Sequence, residues 1–276
     1  MPLEEARVPV LDRGFIFGDG VYEVIPVYSG HPFRLRDHLL RLQHSLDGIR
    51  LANPHSEAEW RELLSELVAR NAGEDQYLYL HVTRGVSKRD HAFPKDTPST
   101  VFLMSSPLPP ADPALRKNGV AAITAVDNRW LRCDIKAISL LPNVLLRQLS
   151  ADAGASETVM LRDGFLTEGA ASNIFVVSDG VLLAPPKSHL MLPGITYDLV
   201  LELAAAKGIQ SRVEPIAESV LRGADEIWLT SSTREVQAIT HLDGQAVGNA
   251  KPGPIFEKMD RLYQDYKATT MRQPSP

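Results

Sequence analysis

A lysine interrupts an apolar stretch near the middle of the chain, in the segment Ile135-Lys-Ala-Ile138. Moving an ammonium group out of water is costly unless the charge is paired or neutralised. Lys136 therefore either lies at the surface end of a strand, with its amine in water, or supplies an amine for chemistry. Such an amine is suited to forming a Schiff base with an aldehyde. Lys136 is thus the first candidate catalytic residue.

A glutamate followed by small residues is the second candidate, in the segment Leu166-Thr-Glu-Gly-Ala-Ala-Ser-Asn-Ile174. Glu168 comes directly after a predicted strand. One interpretation is an exposed glutamate in a turn. The other is a carboxylate that faces a cationic ring, because the small neighbours would leave room for that ring.

Two segments could bind an anion. Pro193-Gly-Ile-Thr196 opens a predicted helix, and the free amides of a helix N-terminus attract anions. Thr196 could add its hydroxyl to such a site, or it could simply cap the helix. Thr230-Ser-Ser-Thr233 follows a predicted strand and offers a second run of hydroxyls and amides, unless it is only a polar strand end.

Two hydrogen-bond donors lie on alternate residues of a long polar loop, in Arg89-Asp-His91. If this segment is extended, both side chains point to the same side. They could then clamp a carboxylate, with the arginine binding it through two parallel hydrogen bonds. The alternative is a solvated basic loop.

Several classes of protein lack support in the sequence. No phosphate-binding loop, no GxGxxG between a strand and a helix, no HExxH pair and no GxSxG turn is present. We therefore expect no catalytic metal. The net charge of −5 argues against a general nucleic-acid-binding protein.

The composition also bears on location. The chain of 276 residues has one cysteine, Cys133, which excludes an intrachain disulfide and fits a reducing compartment. No signal peptide and no apolar run of about 20 residues is evident, so we expect no membrane partner. The expected location is the cytoplasm.

Alternating and helical hydrophobic patterns predict a mixed fold. Strands are predicted at 21–28, 77–83, 100–104, 120–126, 174–177, 181–183 and 226–230. Helices are predicted around 39–46, after a capping box at 56–59, after Pro142-Asn143 with an end at Gly154, at 195–207 and 216–223, and after Pro254. This order indicates an α+β (mixed α/β) fold rather than a regular βαβ array.

A proline-rich stretch, Ser106–Pro113, is the best candidate for a linker. It predicts a small N-terminal α/β domain at 1–107, a linker at 108–118 and a larger C-terminal α/β domain at 119–276. The C-terminal domain would carry Lys136.

Taken together, the candidates include a lysine, a carboxylate for a ring nitrogen, a phosphate site and a carboxylate clamp. This combination is what pyridoxal 5'-phosphate needs to act on amino acids. The chain also resembles the fold-type IV pyridoxal-phosphate enzymes. The residues that carry the resemblance are Asp12-Arg-Gly14, Phe17-Gly-Asp-Gly-Val-Tyr-Glu23, Arg41, Lys136, Thr167-Glu-Gly169, Ser172-Asn173 and Gly194-Ile-Thr196.

Within that family the resemblance to D-amino acid aminotransferases is strongest. It rests on Gly18–Val24, on Arg84-Gly-Val-Ser-Lys-Arg-Asp-His91 and on Arg129-Trp-Leu-Arg-Cys-Asp-Ile-Lys136. The resemblance implies that Lys136 carries the Schiff base and that Glu168 binds the pyridine nitrogen. It implies cofactor-binding roles for Arg41, Lys136, Glu168, Leu192, Ile195, Thr196, Ser231 and Ser232, and substrate-carboxylate binding by Tyr22, Arg89 and His91.

The resemblance further implies a two-domain homodimer with the site between domains. Its expected reaction transfers the amino group of a D-amino acid, such as D-alanine, to a 2-oxo acid, such as 2-oxoglutarate, by a ping-pong mechanism. An aminodeoxychorismate lyase and a branched-chain L-amino acid aminotransferase are alternatives within the same family. A cofactor-binding or interaction protein with a structural lysine is the non-enzymatic alternative.

Overall fold

Two units make up the chain in the computed structural model, which describes residues 1–274. The first unit comprises Met1–Pro109, Ile135–Leu140 and the described residues from Met271 onward. The second comprises Pro110–Asp134 and Leu141–Thr270.

The first unit is a four-stranded sheet with helices. Its elements are α1 (Arg13–Phe17), β1 (Gly20–Tyr28), β2 (His31–Pro32), α2 (Leu35–Gly48), α3 (Glu57–Ala69), β3 (Gln76–Thr83) and β4 (Thr100–Pro107). The strand order is β2-β1-β3-β4, and each neighbouring pair is antiparallel. A short 3-10 turn, Leu3–Glu5, precedes them.

One face of this sheet is buried under α2 and α3. Val21, Ile25 and Val27 alternate along β1 and pack into one core with leucines of α2, as the period of two in a strand requires. Ser56 and Glu59 form the predicted capping box at the start of α3.

The second unit has a larger mixed sheet. Its strands are β5 (Val120–Val126), β6 (Glu157–Arg162), β7 (Phe165–Gly169), β8 (Asn173–Ser178), β9 (Val181–Ala184), β10 (Ser211–Val213), β11 (Glu226–Ser231), β12 (Glu235–Leu242) and β13 (Gln245–Ala246). The order is β10-β9-β8-β11-β12-β5-β6-β7, with β13 on β12.

Five helices of the second unit are described. They are α4 (Pro113–Asn118), α5 (Leu141–Asp152), α6 (Ile195–Ala206), α7 (Glu218–Arg222) and α8 (Pro254–Tyr266). A π-helical turn follows at Lys267–Met271. Phe175 of β8 and Trp228 of β11 stack with each other, and Tyr197 of α6 and Phe256 of α8 join them, which ties these helices to the sheet.

The mixed α+β fold class is confirmed, and the bounds of several elements differ from the predicted ones. Strand β4 continues to Pro107, three residues beyond its predicted end, because it pairs with β3 over its whole length. The predicted linker at 108–118 contains the change of unit at Pro110, but its last six residues form α4. Asp112 caps α4, and Pro113 supplies a backbone suited to the first helical turn.

The segment around Lys136 departs from the predicted domain division. Position along the chain placed it in the C-terminal domain, whereas Ile135–Leu140 belongs to the first unit. A bridge between Val21 and Ala137, together with burial of Ile135 and Ala137 in the first core, holds it there. Among residues 1–274, no helix is long and apolar enough to cross a membrane.

Candidate active site

The backbone of Lys136 is fixed against β1 and α2. Its carbonyl accepts a hydrogen bond from the amide of Tyr22 (3.0 Å), and its amide donates to the hydroxyl of Ser45 (3.1 Å). Lys136 lies in an irregular segment rather than in a strand. The position of the Lys136 backbone is therefore set by long-range hydrogen bonds, and not by a strand of its own.

The amine of Lys136 lies against an aromatic side chain. Its nitrogen is 4.2 Å from the centre of the Tyr22 ring, and the residue is half-buried. Within residues 1–274 the amine has no hydrogen-bond or ion-pair partner, so an electrophile would not have to displace one. A cation over a ring face is held electrostatically. Tyr22 therefore orients this nitrogen without a hydrogen bond to it.

A row of half-buried side chains continues from Tyr22 across the face of the first sheet opposite its core. The ring of Tyr79 lies 5.7 Å from that of Tyr22. The Tyr79 hydroxyl is 3.0 Å from Nδ1 of His81. Burial raises the pKa of Tyr79 and lowers that of His81, so both side chains are neutral near pH 7.

A buried acidic and basic cluster lies under Tyr22, on the other face of β1. Glu23 accepts two hydrogen bonds from Arg41, from Nε at 2.7 Å and from Nη2 at 2.8 Å. Nδ1 of His38 lies 2.8 Å from the same carboxylate. Burial raises the pKa of Glu23, but Arg41 and His38 outweigh it and bring the pKa well below its ordinary value.

The predicted phosphate ligand Arg41 is thus already engaged by Glu23. It is 8% exposed, and both parallel hydrogen bonds of its fork go to one carboxylate. Its phosphate-binding role stays a prediction. His38, on the same side of α2, has its pKa lowered by burial and is neutral near pH 7.

The loop that carries Arg89 and His91 is anchored to α1. Arg13 donates to the carbonyl of Asp90 at 2.5 Å, between the two predicted carboxylate ligands. The ring of Phe17 lies 5.4 Å from the guanidinium of Arg89 and 5.4 Å from the ring of His91. The structure therefore brings Arg89 and His91 together around one aromatic ring, and both are exposed.

In the second unit, Glu168 is a buried carboxylate at the end of β7. Its oxygens accept hydrogen bonds from Arg129 (2.5 Å), from the amide of Leu192 (3.1 Å and 3.2 Å) and from Asn173 (3.2 Å). It is 4% exposed, which excludes the interpretation as an exposed turn. Burial raises the pKa of Glu168 to about 7, despite the opposing effect of Arg129.

Arg129 serves two carboxylates. Its Nε and Nη2 each donate to Asp127 at 2.9 Å, while Nη1 donates to Glu168. Thr167 also donates to Asp127, at 3.0 Å. Burial raises the pKa of Asp127, but the hydrogen bonds and charge of Arg129 lower it below its ordinary value.

The start of α6 is an uncapped helix N-terminus. Gly194 at the cap position has no side chain to satisfy the first amides, Ile195 and Thr196. A Cβ on Gly194 would lie 2.0 Å from Oδ1 of Asn173, so only glycine allows this close approach. Thr196 does not occupy the cap position, and its amide stays available to an anion.

Three other predicted cofactor residues, Leu192, Ser231 and Ser232, lie at or near the ends of elements of the second unit. Leu192 is half-buried, and its carbonyl accepts from Asn173 at 2.9 Å. Ser231 ends β11 and accepts from the amide of Arg234 at 3.1 Å. Ser232 is half-buried in the following turn. The positions of Leu192, Ser231 and Ser232 leave their proposed roles untested.

Sequence reasoning missed the buried partners of the candidate residues. Glu23 occupies a core-facing position of β1, between Val21 and Ile25, and His38 and Arg41 are three residues apart on the apolar side of α2. A charged residue on a core face needs a buried partner. The positions of these three charged or polar residues on the core faces of β1 and α2 were the sequence signal that could have predicted this cluster.

Several known proteins are similar to this chain over most of its length. Residues 20–242 match the model of the amino-transferase class IV family. The D-alanine aminotransferase of Bacillus licheniformis is 40% identical over 265 residues, which cover 96% of this chain and 93% of that protein. The D-alanine aminotransferase of Staphylococcus aureus (strain MSSA476) is 37% identical over 264 residues, covering 95% and 93%.

Solved structures show the same fold. A branched-chain amino acid aminotransferase from T.th., solved with pyridoxamine 5'-phosphate, has a TM-score of 0.90 at 27% identity, covering 99% of this chain and 92% of that one. A branched-chain amino acid aminotransferase of Escherichia coli has a TM-score of 0.88 at 27% identity, covering 95% and 90%.

Proposed function

Because the chain belongs to the class IV amino-transferases, we propose that it moves the amino group of D-amino acids, such as D-alanine, to a 2-oxo acid, such as 2-oxoglutarate. The resemblance in sequence to D-alanine aminotransferases is greater than that to the branched-chain aminotransferases of similar fold. The observation that carries the proposal is the Lys136 amine, which is fixed in position by its backbone and free of polar partners among the described residues.

Each unit contains residues that suit the family's cofactor, pyridoxal 5'-phosphate. Glu168 has the burial and hydrogen bonding expected of a carboxylate that faces a cationic ring nitrogen. The amides of Ile195 and Thr196 at the uncapped start of α6 suit a phosphate group. When bound, the cofactor supplies an aldehyde for an amine and a ring that accepts electrons from the Cα–H bond.

Each residue then has a separate role. The amine of Lys136 would hold the aldehyde carbon of the cofactor and, once displaced by the substrate, would move the proton from the substrate Cα to that former aldehyde carbon, C4′. The carboxylate of Glu168 would keep the ring nitrogen protonated, and Leu192 would pack against the ring. The resemblance assigns phosphate binding to Arg41 in the first unit and to Ile195, Thr196, Ser231 and Ser232 in the second.

The substrate carboxylate is bound by a second set of residues. Arg89 and His91, which both lie against the Phe17 ring, supply N–H donors, and Tyr22 adds its hydroxyl. These groups bind the same carboxylate in the amino acid and in the 2-oxo acid, so they serve both half-reactions of a ping-pong cycle.

Assembly and location complete the proposal. The family resemblance supports a homodimer, which light scattering of the purified protein would test. A cytoplasmic location is supported by the single cysteine, Cys133, which is buried as a free thiol.

The decisive experiment compares the two enantiomers of one amino acid. Purified protein is incubated with pyridoxal phosphate, 2-oxoglutarate and either D-alanine or L-alanine, and pyruvate is measured. We expect pyruvate from D-alanine. Equal or faster formation from L-alanine, or turnover of L-leucine in place of D-alanine, would favour the branched-chain alternative.

Replacement of Lys136 tests the carrying observation. Lys136→Ala should lower kcat by about 10²–10⁴-fold or more, the usual contribution of a proton-transferring group. Lys251→Ala, an exposed lysine in the second unit, is the control and should retain activity. Borohydride reduction followed by peptide mapping should tag Lys136, and a tag on any other residue would reject the role.

A further inference from the structure

Arg129 forms unequal contacts with its two carboxylates. It binds Asp127 through two parallel hydrogen bonds, both of 2.9 Å, and Glu168 through a single one of 2.5 Å. Nη2 also donates to the carbonyl of Leu190 at 3.2 Å. An arginine stays protonated in proteins, so the positive charge of Arg129 is shared by two buried carboxylates, of which Asp127 also contacts Arg162.

The other ionisable groups near Glu168 do not replace this charge. Arg162 contacts Asp127 at 3.1 Å and donates to the carbonyl of Arg129 at 2.9 Å, but it forms no hydrogen bond or ion pair with Glu168 among the described residues. Burial raises the pKa of the Cys133 thiol to about 11, so this neighbour is neutral. Arg129 is thus the cation in direct contact with Glu168.

We propose that Arg129 is a positioning residue that sets the ionisation state of Glu168, and that Asp127 adjusts this state by sharing the same guanidinium. The inference rests on the proposed function only for its consequence, because an ionised Glu168 is what a protonated ring nitrogen requires. The sharing itself is shown by the hydrogen bonds of Arg129.

The arrangement predicts opposite changes in the pKa of Glu168 when the charge of Arg129 or that of Asp127 is removed. Removing the charge of Arg129 leaves Glu168 with only the Leu192 amide and Asn173, and its ionised form loses stability. Removing the charge of Asp127 takes away a repulsive carboxylate and leaves the positive charge of Arg129 to Glu168 alone. A general disturbance of packing would not shift the pKa of Glu168 in opposite directions in the two variants.

The experiment measures Glu168 directly in the full-length apoprotein. The side-chain carboxyl carbons of glutamate are labelled with 13C, and the Glu168 signal is identified by its loss in Glu168→Gln. Its titration midpoint is then compared in wild type, Arg129→Gln and Asp127→Asn. Arg212→Gln and Asp152→Asn, which alter exposed residues of the same unit, are the matched controls.

We expect a midpoint near 7 in wild type, where burial raises the pKa of Glu168. Arg129→Gln should raise the midpoint and Asp127→Asn should lower it, each by about one pH unit or more, as a close charge pair commonly does. Arg129→Lys keeps the positive charge, so its titration midpoint should lie between those of wild type and Arg129→Gln. The two exposed controls should leave the midpoint unchanged.

Shifts of the same sign in Arg129→Gln and Asp127→Asn, or no shift in either, would overturn the proposal. If Arg129→Gln does not fold, Asp127→Asn decides alone: a lowered midpoint supports the sharing, and an unchanged or raised one refutes it.

The loaded enzyme supplies a second readout. The pH at which the absorbance of the bound cofactor changes is recorded for the same variants, and Arg129→Gln should have little further effect in a Glu168→Gln background. Opposite NMR shifts without transaminase activity in wild type would refute the proposed function and leave the Arg129 inference standing. Activity without those shifts would do the reverse.

Discussion

Glu23 in the first unit and Glu168 in the second are both buried carboxylates in contact with an arginine, yet their ionisation differs. The pKa of Glu23 is driven below its ordinary value, although burial opposes this, because Arg41 binds it through two hydrogen bonds and His38 adds a third. Burial raises the pKa of Glu168 to about 7 and outweighs the charge and single hydrogen bond of Arg129, while the nearby charge of Asp127 adds a smaller increase.

The comparison shows that the ionisation of a buried carboxylate depends in part on how many acids share its arginine. Arg41 forms its fork with one carboxylate, whereas Arg129 gives its fork to Asp127 and one remaining nitrogen to Glu168. The first arrangement favours a permanently charged, structural pair. The second leaves a carboxylate whose charge can be stabilised further by a cationic ligand.

The largest expected effect is on the stability of the first unit. Glu23→Gln leaves Arg41 buried without its carboxylate, which should lower the free energy of unfolding by about 3–5 kcal/mol. Urea denaturation at pH 7 measures this, with Glu62→Gln, an exposed glutamate of α3, as control. A loss no greater than that of the control would show that the cluster is not an essential buried pair.

A smaller loss is expected at His38. His38→Gln removes one hydrogen bond to Glu23 but leaves the charge of Arg41, so the free energy of unfolding should fall by about 1–3 kcal/mol. Because burial lowers the pKa of His38 below 6.5, the unfolded chain takes up a proton first as the pH falls. The wild-type protein should therefore lose stability below about pH 6.5, and the variant should lose less.

A change of the opposite sign is expected at Glu168, with a distinctive pH dependence. Its pKa rises from 4.5 to about 7 on folding, so the folded chain holds the proton longer and stability declines as the pH rises through that window. Glu168→Gln should match wild type near pH 4.5 and be more stable above pH 7, as thermal unfolding of the apoprotein would measure. The assignment would be contradicted if the stability of Glu168→Gln relative to wild type were lower at pH 8 than at pH 5.

For Glu23 the same relation has the opposite sign. Its pKa falls on folding, so its stabilising effect is complete above about 4.5 and is lost as the pH decreases below that value. Comparing the acid limbs of Glu23→Gln and Glu168→Gln therefore tests the contrast between the two clusters in one set of unfolding curves.

Much of the secondary structure followed from local patterns. The capping box at Ser56 and Glu59 marked the start of α3, and the alternating residues of β1 marked a strand with one core face. Helix α6 begins at Ile195, where the Pro193-Gly-Ile-Thr196 segment predicted it. These signals are local because they depend on backbone hydrogen bonds and on the period of the side chains.

The sequence by itself determined the fold class, the family resemblance and the candidate types: one amine in an apolar segment, one glutamate before small residues, and a helix start that could bind an anion. It did not determine the unit to which Lys136 belongs, nor that Glu23 and Arg41 pair while Glu168 and Asp127 share Arg129. Only the tertiary structure decided these, because the pKa of a buried acid depends on which charges the fold brings within a few ångströms, and residues 39 positions apart along the chain are neighbours only after folding.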